Sequence, residues 1–225
     1  MKIYKASGED EGAAIAFEII VQELSNKKEL RLCLSGGGSP RPLYRRLQTF
    51  CETNAAAINQ IRCCWMDERI VPVSSDRSNH GNTLKDWPLL KQMTHVVFPV
   101  DQPVADIPVQ YDSALRAEGF IGKDDAAIID IAIAGMGPDG HTASIFPGIP
   151  LQHTYGSTAT CYHSEFKEWR GTVTKDFIQQ SGLIIALVFG DDKKELLKRC
   201  LEKDPRYPFS ALVGESMVLI TDQDV

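Results

Sequence analysis

The stretch from Ile131 to Gly148, IAIAGMGPDGHTASIFPG, constrains the fold more than any other part of the chain. It starts within an apolar run, Ala126 to Ala134, that only Asp130 interrupts, and it ends that run at Gly135, Gly137 and Gly140. His141, Thr142, Ala143 and Ser144 follow. This order predicts a β-strand that enters a glycine loop and then a helical turn, with backbone amides facing outward beyond the strand end as a seat for an anion. The glycines also satisfy G-x-G-x-x-G, a weak sign of dinucleotide binding when it stands alone. Here Asp139 would bring a carboxylate beside a pyrophosphate. About twenty residues on, where a ribose-binding acid belongs, the sequence reads TYGSTATCYH, and Glu165 comes late. A dinucleotide is not the expected ligand.

The strand-to-loop transition recurs. Leu30 to Leu34 ends at Ser35-Gly36-Gly37-Gly38-Ser39-Pro40, and Pro42, Leu43, Tyr44, Leu47 and Phe50 then predict a helix with Pro42 in its first turn. Ile61 to Met66 ends at Asp67-Glu68-Arg69. Leu183 to Phe189 ends at Gly190-Asp191-Asp192-Lys193, before a helical face of Leu196, Leu197, Cys200 and Leu201. Helices are also expected over Glu9 to Leu24, around Leu84 to Leu90, through Tyr111 to Glu118 and at Asp176 to Gln180. Short strands are expected at Val96 to Phe98, Thr172 to Thr174 and Ser216 to Thr221. Pro72 to Thr83 reads as a polar loop in which Asp76, Arg77, Ser78 and Asn79 offer caps, and the segment from Gly148 to Phe166 shows little period. Short apolar strands alternating with helices predict an α/β fold: an open, mainly parallel, Rossmann-like sheet with helices on both faces. No repeat or linker divides the chain, so residues 1–225 are expected to form a single domain.

Composition narrows the function classes. A net charge of -6 argues against a nucleic-acid surface, which needs concentrated Lys and Arg. No apolar run has the length of a membrane span, and Met1 to Tyr4 begins no signal peptide, so a cytoplasmic protein is expected. The six cysteines (33, 51, 63, 64, 161 and 200) form no C-x-x-C, and three of them fall in predicted strands as small buried thiols. The five histidines make no compact ligand set, so no bound metal is expected.

In a parallel sheet the loops share one rim. They pool Ser35, Gly36, Gly37 and Ser39; Asp67 and Arg69; Asp139 and His141; Arg170; and Lys193. Glycine amides and two or three cations suit a small phosphorylated or otherwise anionic substrate, with one imidazole left to handle protons. G-x-S-x-G is absent, which makes Ser144 a poor nucleophile, and G-x-x-x-x-G-K-[ST] is absent too.

Several of these stretches together resemble one family. GMGPDGHTASIFPG (135–148) is similar to the signature of 6-phosphogluconolactonases, within a superfamily that includes glucosamine-6-phosphate deaminases. LSGGGSP (34–40) resembles the phosphate loop and WMDERIVP (65–72) the second signature; Ser78-Asn79, Arg170 to Thr174 and Gly190 to Lys193 align in order. Two positions depart from the pattern. Gly38 stands where Ser, Thr or Arg is commoner, and Gly171 stands where a branched apolar residue follows the arginine. The second departure is expected to loosen the Arg170 strand. The deaminase branch shares Asp-Gly-His but continues as Ile-Ala-Phe-Asn and has Asp-Glu-Tyr; Thr142 to Pro147 and Asp67-Glu68-Arg69 side with the lactonases.

The resemblance implies hydrolysis of 6-phospho-D-glucono-1,5-lactone to 6-phosphogluconate in the oxidative pentose phosphate pathway, with no cofactor. The partner is then a small phosphorylated sugar lactone, and no nucleic acid or membrane; the sequence does not disclose an oligomeric state. A lactone carbonyl is already electrophilic, so a deprotonated water suffices and neither a covalent serine nor a metal is needed. By the resemblance His141 is the general base, and either Asp139 or Asp67 orients it. Ser35, Gly36, Gly37, Ser39, Arg170 and Lys193 bind phosphate, and Arg69 joins them or contacts sugar hydroxyls. Backbone amides near Gly137, Gly140 or Arg69 are the expected oxyanion donors. Readings of another class are a deaminase-like isomerase and a non-catalytic sugar-phosphate sensor; the sensor has no need of His141.

Overall fold

The computed structural model describes residues 1–225. Its strands, in chain order, are β1 (Lys2–Lys5), β2 (Leu30–Leu34), β3 (Ile61–Trp65), β4 (Asp67–Arg69), β5 (Thr94–Val96), β6 (Ile131–Gly135), β7 (Gln152–Tyr155), β8 (Thr158–His163), β9 (Glu168–Val173), β10 (Leu183–Val188) and β11 (Met217–Thr221). The α-helices are α1 (Glu9–Asn26), α2 (Arg41–Thr53), α3 (Ala55–Gln60), α4 (Asn79–Asp86), α5 (Ile107–Ala117), α6 (Lys175–Gln179) and α7 (Lys194–Leu201).

Strands that are apolar on both faces need cover on both faces, and this decides the layout. A seven-stranded sheet runs β1-β11-β10-β6-β2-β3-β5, every neighbouring pair parallel, with helices on both sides. From β2 the chain builds β3 and β5 outward on one side, and from β6 it builds β10 and β11 on the other. The direction of building reverses between β2 and β6, where open parallel sheets form a crevice beyond their carboxyl ends. One continuous cluster of 53 buried apolar residues, from Ala6 to Ile220, joins this sheet to its helices. No helix is long and apolar enough to cross a membrane.

A second, antiparallel sheet, β4-β9-β8-β7, has no counterpart in the sequence reading. The two sheets meet at Met66, whose amide donates to Leu34 O (2.8 Å) while its carbonyl accepts from Val173 N (2.7 Å). Asp67 to Arg69, which the sequence places at the end of β3, form a strand of their own, with Arg69 opposite Arg170. Of the strand expected at Thr172 to Thr174, Thr172 and Val173 end the six-residue β9, and Thr174 caps α6.

Local boundaries also differ. Helix α4 begins at Asn79, not near Leu84, because Ser78 caps it by accepting Gly81 N (2.9 Å). The buried Glu68 carboxylate accepts two more donors there, Asn79 N (2.6 Å) and His80 N (2.8 Å). β5 lies two residues before its expected place, and the edge strand β1 was not anticipated. No helical turn follows Gly140. Thr142 and Ile145 form an isolated bridge, and Ala143 sits at φ 49°.

Candidate active site

A cavity of about 220 Å³ opens at the reversal between β2 and β6. That volume suits a small molecule. Ser35, Gly36, Gly37, Ser39, Asp67, Arg69, Gly137, His141, Arg170 and Lys193 all line it, so the structure brings together ten of the twelve residues singled out above. Asp139 and Gly140 are the two that do not reach the cavity wall.

Asp139 stands behind the imidazole. Its Oδ1 is 2.5 Å from His141 Nδ1 and also accepts the His141 amide (3.1 Å). Burial raises the Asp139 carboxyl, but the hydrogen bond and charge of His141 outweigh it and hold the group below its ordinary value. A carboxylate on Nδ1 fixes the proton there and leaves Nε2 as the basic nitrogen. Asp67, the other candidate, is engaged elsewhere: it accepts from Ser144 Oγ (2.7 Å) and Asn79 Nδ2 (3.2 Å). Ser144 is fully buried and spends its hydroxyl on this bond.

The glycines do not serve as expected. Gly137 N donates to His141 O (2.9 Å), Gly140 N to Gly137 O (3.0 Å) and Arg69 N to Glu68 Oε1 (2.8 Å). All three amides are consumed inside the chain and none is available to an oxyanion. Gly137 is instead required by space, since a Cβ there would stand 2.7 Å from His141 Nε2 and closer still to Cε1 and Nδ1. Gly140 adopts φ 83°, and the Tyr207 ring lies where its Cβ would be.

The loop after β2 offers free amides to an anion. Among its amides, those of Gly36 to Ser39 donate to no acceptor in the chain, and the loop leads into the N-terminus of α2. Ser35 Oγ is buried without a partner. Ser39 Oγ leans toward Glu9 Oε1 (3.4 Å).

Positive charge gathers on the opposite wall. Arg170, 5% exposed, pairs with Glu168 (2.5 Å), and Arg77 pairs with the same carboxylate through Nε (2.9 Å) and Nη2 (2.8 Å). Burial, then Arg69, lowers the Arg170 guanidinium from its ordinary value. Burial pushes Glu168 the other way, yet Arg77, Arg170 and Arg69 together hold it low. Nε of Arg69 and of Arg170 are buried with no acceptor. Three guanidiniums around one glutamate leave a net positive wall that an anionic ligand would complement.

The model of the family described as glucosamine-6-phosphate isomerases/6-phosphogluconolactonase matches residues 7–220. The chain belongs to this family. Among relatives, human 6-phosphogluconolactonase is 28% identical over 218 residues, covering 92% of this chain and 83% of its own. The Haemophilus influenzae 6-phosphogluconolactonase is 29% identical over 188 residues, 82% and 78% of the two chains. Two solved structures show the fold. Thermotoga maritima 6-phosphogluconolactonase has a TM-score of 0.80 at 24% identity, with 98% of each chain covered. A monomeric glucosamine-6-phosphate deaminase also reaches 0.80, at 20% identity and 98% and 97% coverage.

The family context clarifies the two departures. Gly38 faces open space, so the cradle lacks a side chain there without strain. At Gly171 a Cβ would stand 2.5 Å from the Phe98 ring, which is buried and stacked on Tyr111 with centroids 3.7 Å apart. Phe98 fills the space of the missing side chain, and β9 keeps its pairing to both neighbours; the expected loosening is absent. Sequence reasoning named Asn79 as a cap and as part of the Ser78-Asn79 match but gave it no site role, although it lines the cavity and holds Asp67. Its place in the Ser78-Asn79 pair after Asp67 to Arg69 was the available signal. Arg77 was overlooked for the same reason.

Proposed function

We propose that this chain hydrolyses 6-phospho-D-glucono-1,5-lactone to 6-phosphogluconate, with His141 as general base. The observation that carries the reading is the Asp139–His141 pair at 2.5 Å, on a cavity whose other walls are an amide cradle and the cations Arg69, Arg170 and Lys193. The phosphate takes the Ser35–Ser39 loop, Lys193 and Arg170. The lactone C1 then faces the imidazole. Nε2 removes a proton from water as the water oxygen bonds to C1, and Asp139 balances the imidazolium that forms. With the amides of Gly137 and Arg69 spent, the alkoxide charge falls to the Arg69 guanidinium. Collapse of this intermediate breaks the bond from C1 to the ring oxygen, which takes the proton back from Nε2. The acid product ionises, giving 6-phosphogluconate and one proton.

Deaminase chemistry is the second reading, because the deaminase fold overlays this chain as well as the lactonase fold does. Against it stand the curated relatives, which are 6-phosphogluconolactonases at 28–29% identity. The test is lactone opening by purified protein above the spontaneous rate, beside ammonia release from glucosamine 6-phosphate. His141→Asn should lower turnover by about 10²–10⁴-fold while 6-phosphogluconate binding persists. Ammonia release without lactone opening overturns the reading; binding without either activity makes the protein a sensor.

A further inference from the structure

Strands β10 and β11 are in parallel register, Val188 beside Thr221, so the loops leaving them run side by side. The first loop carries Gly190 to Lys193, and Lys193 lines the cavity. The second is Asp222, Gln223 and Asp224. Gly190 adopts φ 106° and ψ 133°, a conformation that favours glycine. Its amide donates to the Asp222 carboxylate, at 3.1 and 3.2 Å from the two oxygens. Gln223 is only 4% exposed; its Nε2 donates to Asp222 Oδ1 (2.6 Å) and Asp191 Oδ1 (3.4 Å). Lys193 N closes the turn on Gly190 O (3.1 Å). The lysines that enter ion pairs are Lys5, Lys27, Lys85 and Lys198, so Lys193 faces the cavity uncompensated despite Asp191 and Asp192 beside it.

We propose that Asp222 and Gln223 are positioning residues for phosphate recognition, fixing the Gly190 turn so that an acidic loop presents its one lysine to the ligand. The inference rests on the reading of Lys193 as a phosphate contact. Asp222 binds the backbone of the turn, and Gln223 ties Asp191 into the same network and so away from the ammonium. Neither residue lines the cavity.

The experiment measures binding of 6-phosphogluconate and of gluconate by calorimetry, with KM and kcat on the phosphorylated lactone. Asp222→Ala should weaken 6-phosphogluconate binding and raise KM about 3–10-fold, with kcat and gluconate binding within about 2-fold. Asp222→Asn keeps an oxygen acceptor for Gly190 N and should restore most of the loss. In a Lys193→Ala background, Asp222→Ala should add less than about 2-fold, because its route runs through the lysine. A full additive loss in that background overturns the proposal, as does a silent Asp222→Ala beside a damaging Lys193→Ala. A silent Lys193→Ala instead removes the underlying phosphate reading and the proposal with it. If Asp222→Ala does not fold, Gln223→Ala gives the same comparison with the Gly190 bond intact.

Discussion

Replacing Gly137 by alanine tests the position of the imidazole without changing any group that does chemistry. The added methyl would stand 2.7 Å from His141 Nε2 and nearer still to Cε1 and Nδ1. Ordinary contact is about 3.5–4.0 Å, so the ring must retreat by more than about 1 Å. The backbone raises no objection, since Gly137 is not among the glycines at positive φ, and the bond from its amide to His141 O survives the change. The imidazole has somewhere to go, because its side chain is 28% exposed. Moving it breaks the 2.5 Å contact with Asp139 and misaligns Nε2 with the lactone carbon. A displacement of about 1 Å is enough for a loss of about 10²-fold, or about 2.7 kcal/mol of transition-state stabilisation. Initial rates of lactone opening, corrected for the spontaneous reaction, should therefore fall about 10²-fold in kcat. Affinity for 6-phosphogluconate should stay within about 3-fold, because the cradle lies on another strand. Gly214→Ala, which meets nothing within 4 Å, is the matched control. A kcat within about 3-fold of the parent would refute the dependence on imidazole position. Equal losses in kcat and affinity would mean that the whole loop had shifted.

Two predictions concern stability. Gly171→Val should cost about 1–3 kcal/mol, because its Cβ meets the Phe98 ring at 2.5 and 2.8 Å and the stack on Tyr111 blocks retreat; thermal unfolding checks this, and Phe98→Ala in the same chain should recover part of the loss. Burial, then His95 and Lys91, pushes the His80 imidazole from 6.5 down to about 4, so the folded chain resists a proton that the unfolded chain takes up. Stability should be complete above about pH 6.5 and decline by up to about 3 kcal/mol as pH falls toward 4. His80→Phe should flatten that part of a denaturant-midpoint profile, and an unchanged slope would refute the assignment.

The parallel sheet was legible because burial on both faces writes short, mostly apolar runs into the sequence. LRLCL, IAIAG and LIIALV are examples, each halted by glycine at the rim. The antiparallel sheet writes no such run. Its strands read QHTY, TATCYH and EWRGTV, and β4 is only Asp67, Glu68 and Arg69. In the sequence Asp67 and Glu68 are only charges at the end of an apolar run, yet both are buried, at 6% and 3% exposure. They are tolerated there because Ser144, Asn79 and the first amides of α4 satisfy them, and Ser144 is 77 residues away from Asp67. Spacing in a sequence cannot display a donor at that distance.

The importance of Gly140 was legible, but its reason was not. Amides at a glycine-rich strand end suggested an oxyanion site, whereas the chain spends those amides on closing its own turn. At φ 83° Gly140 reverses the backbone between Asp139 and His141, so that residues two apart meet through carboxylate and ring nitrogen. Tyr207 packs where a side chain would be, and Phe209 N donates to Gly140 O (3.0 Å), so the turn is clamped from outside as well. The same turn accounts for the orienting carboxylate. Asp67 is closer to the cavity wall, but it is committed to Asn79 and Ser144, while Asp139 is brought to Nδ1 by local geometry. The imidazole's partner is therefore set by one left-handed residue, and the long-range strand pairing of β4 leaves Asp67 free of that duty and on the cavity wall.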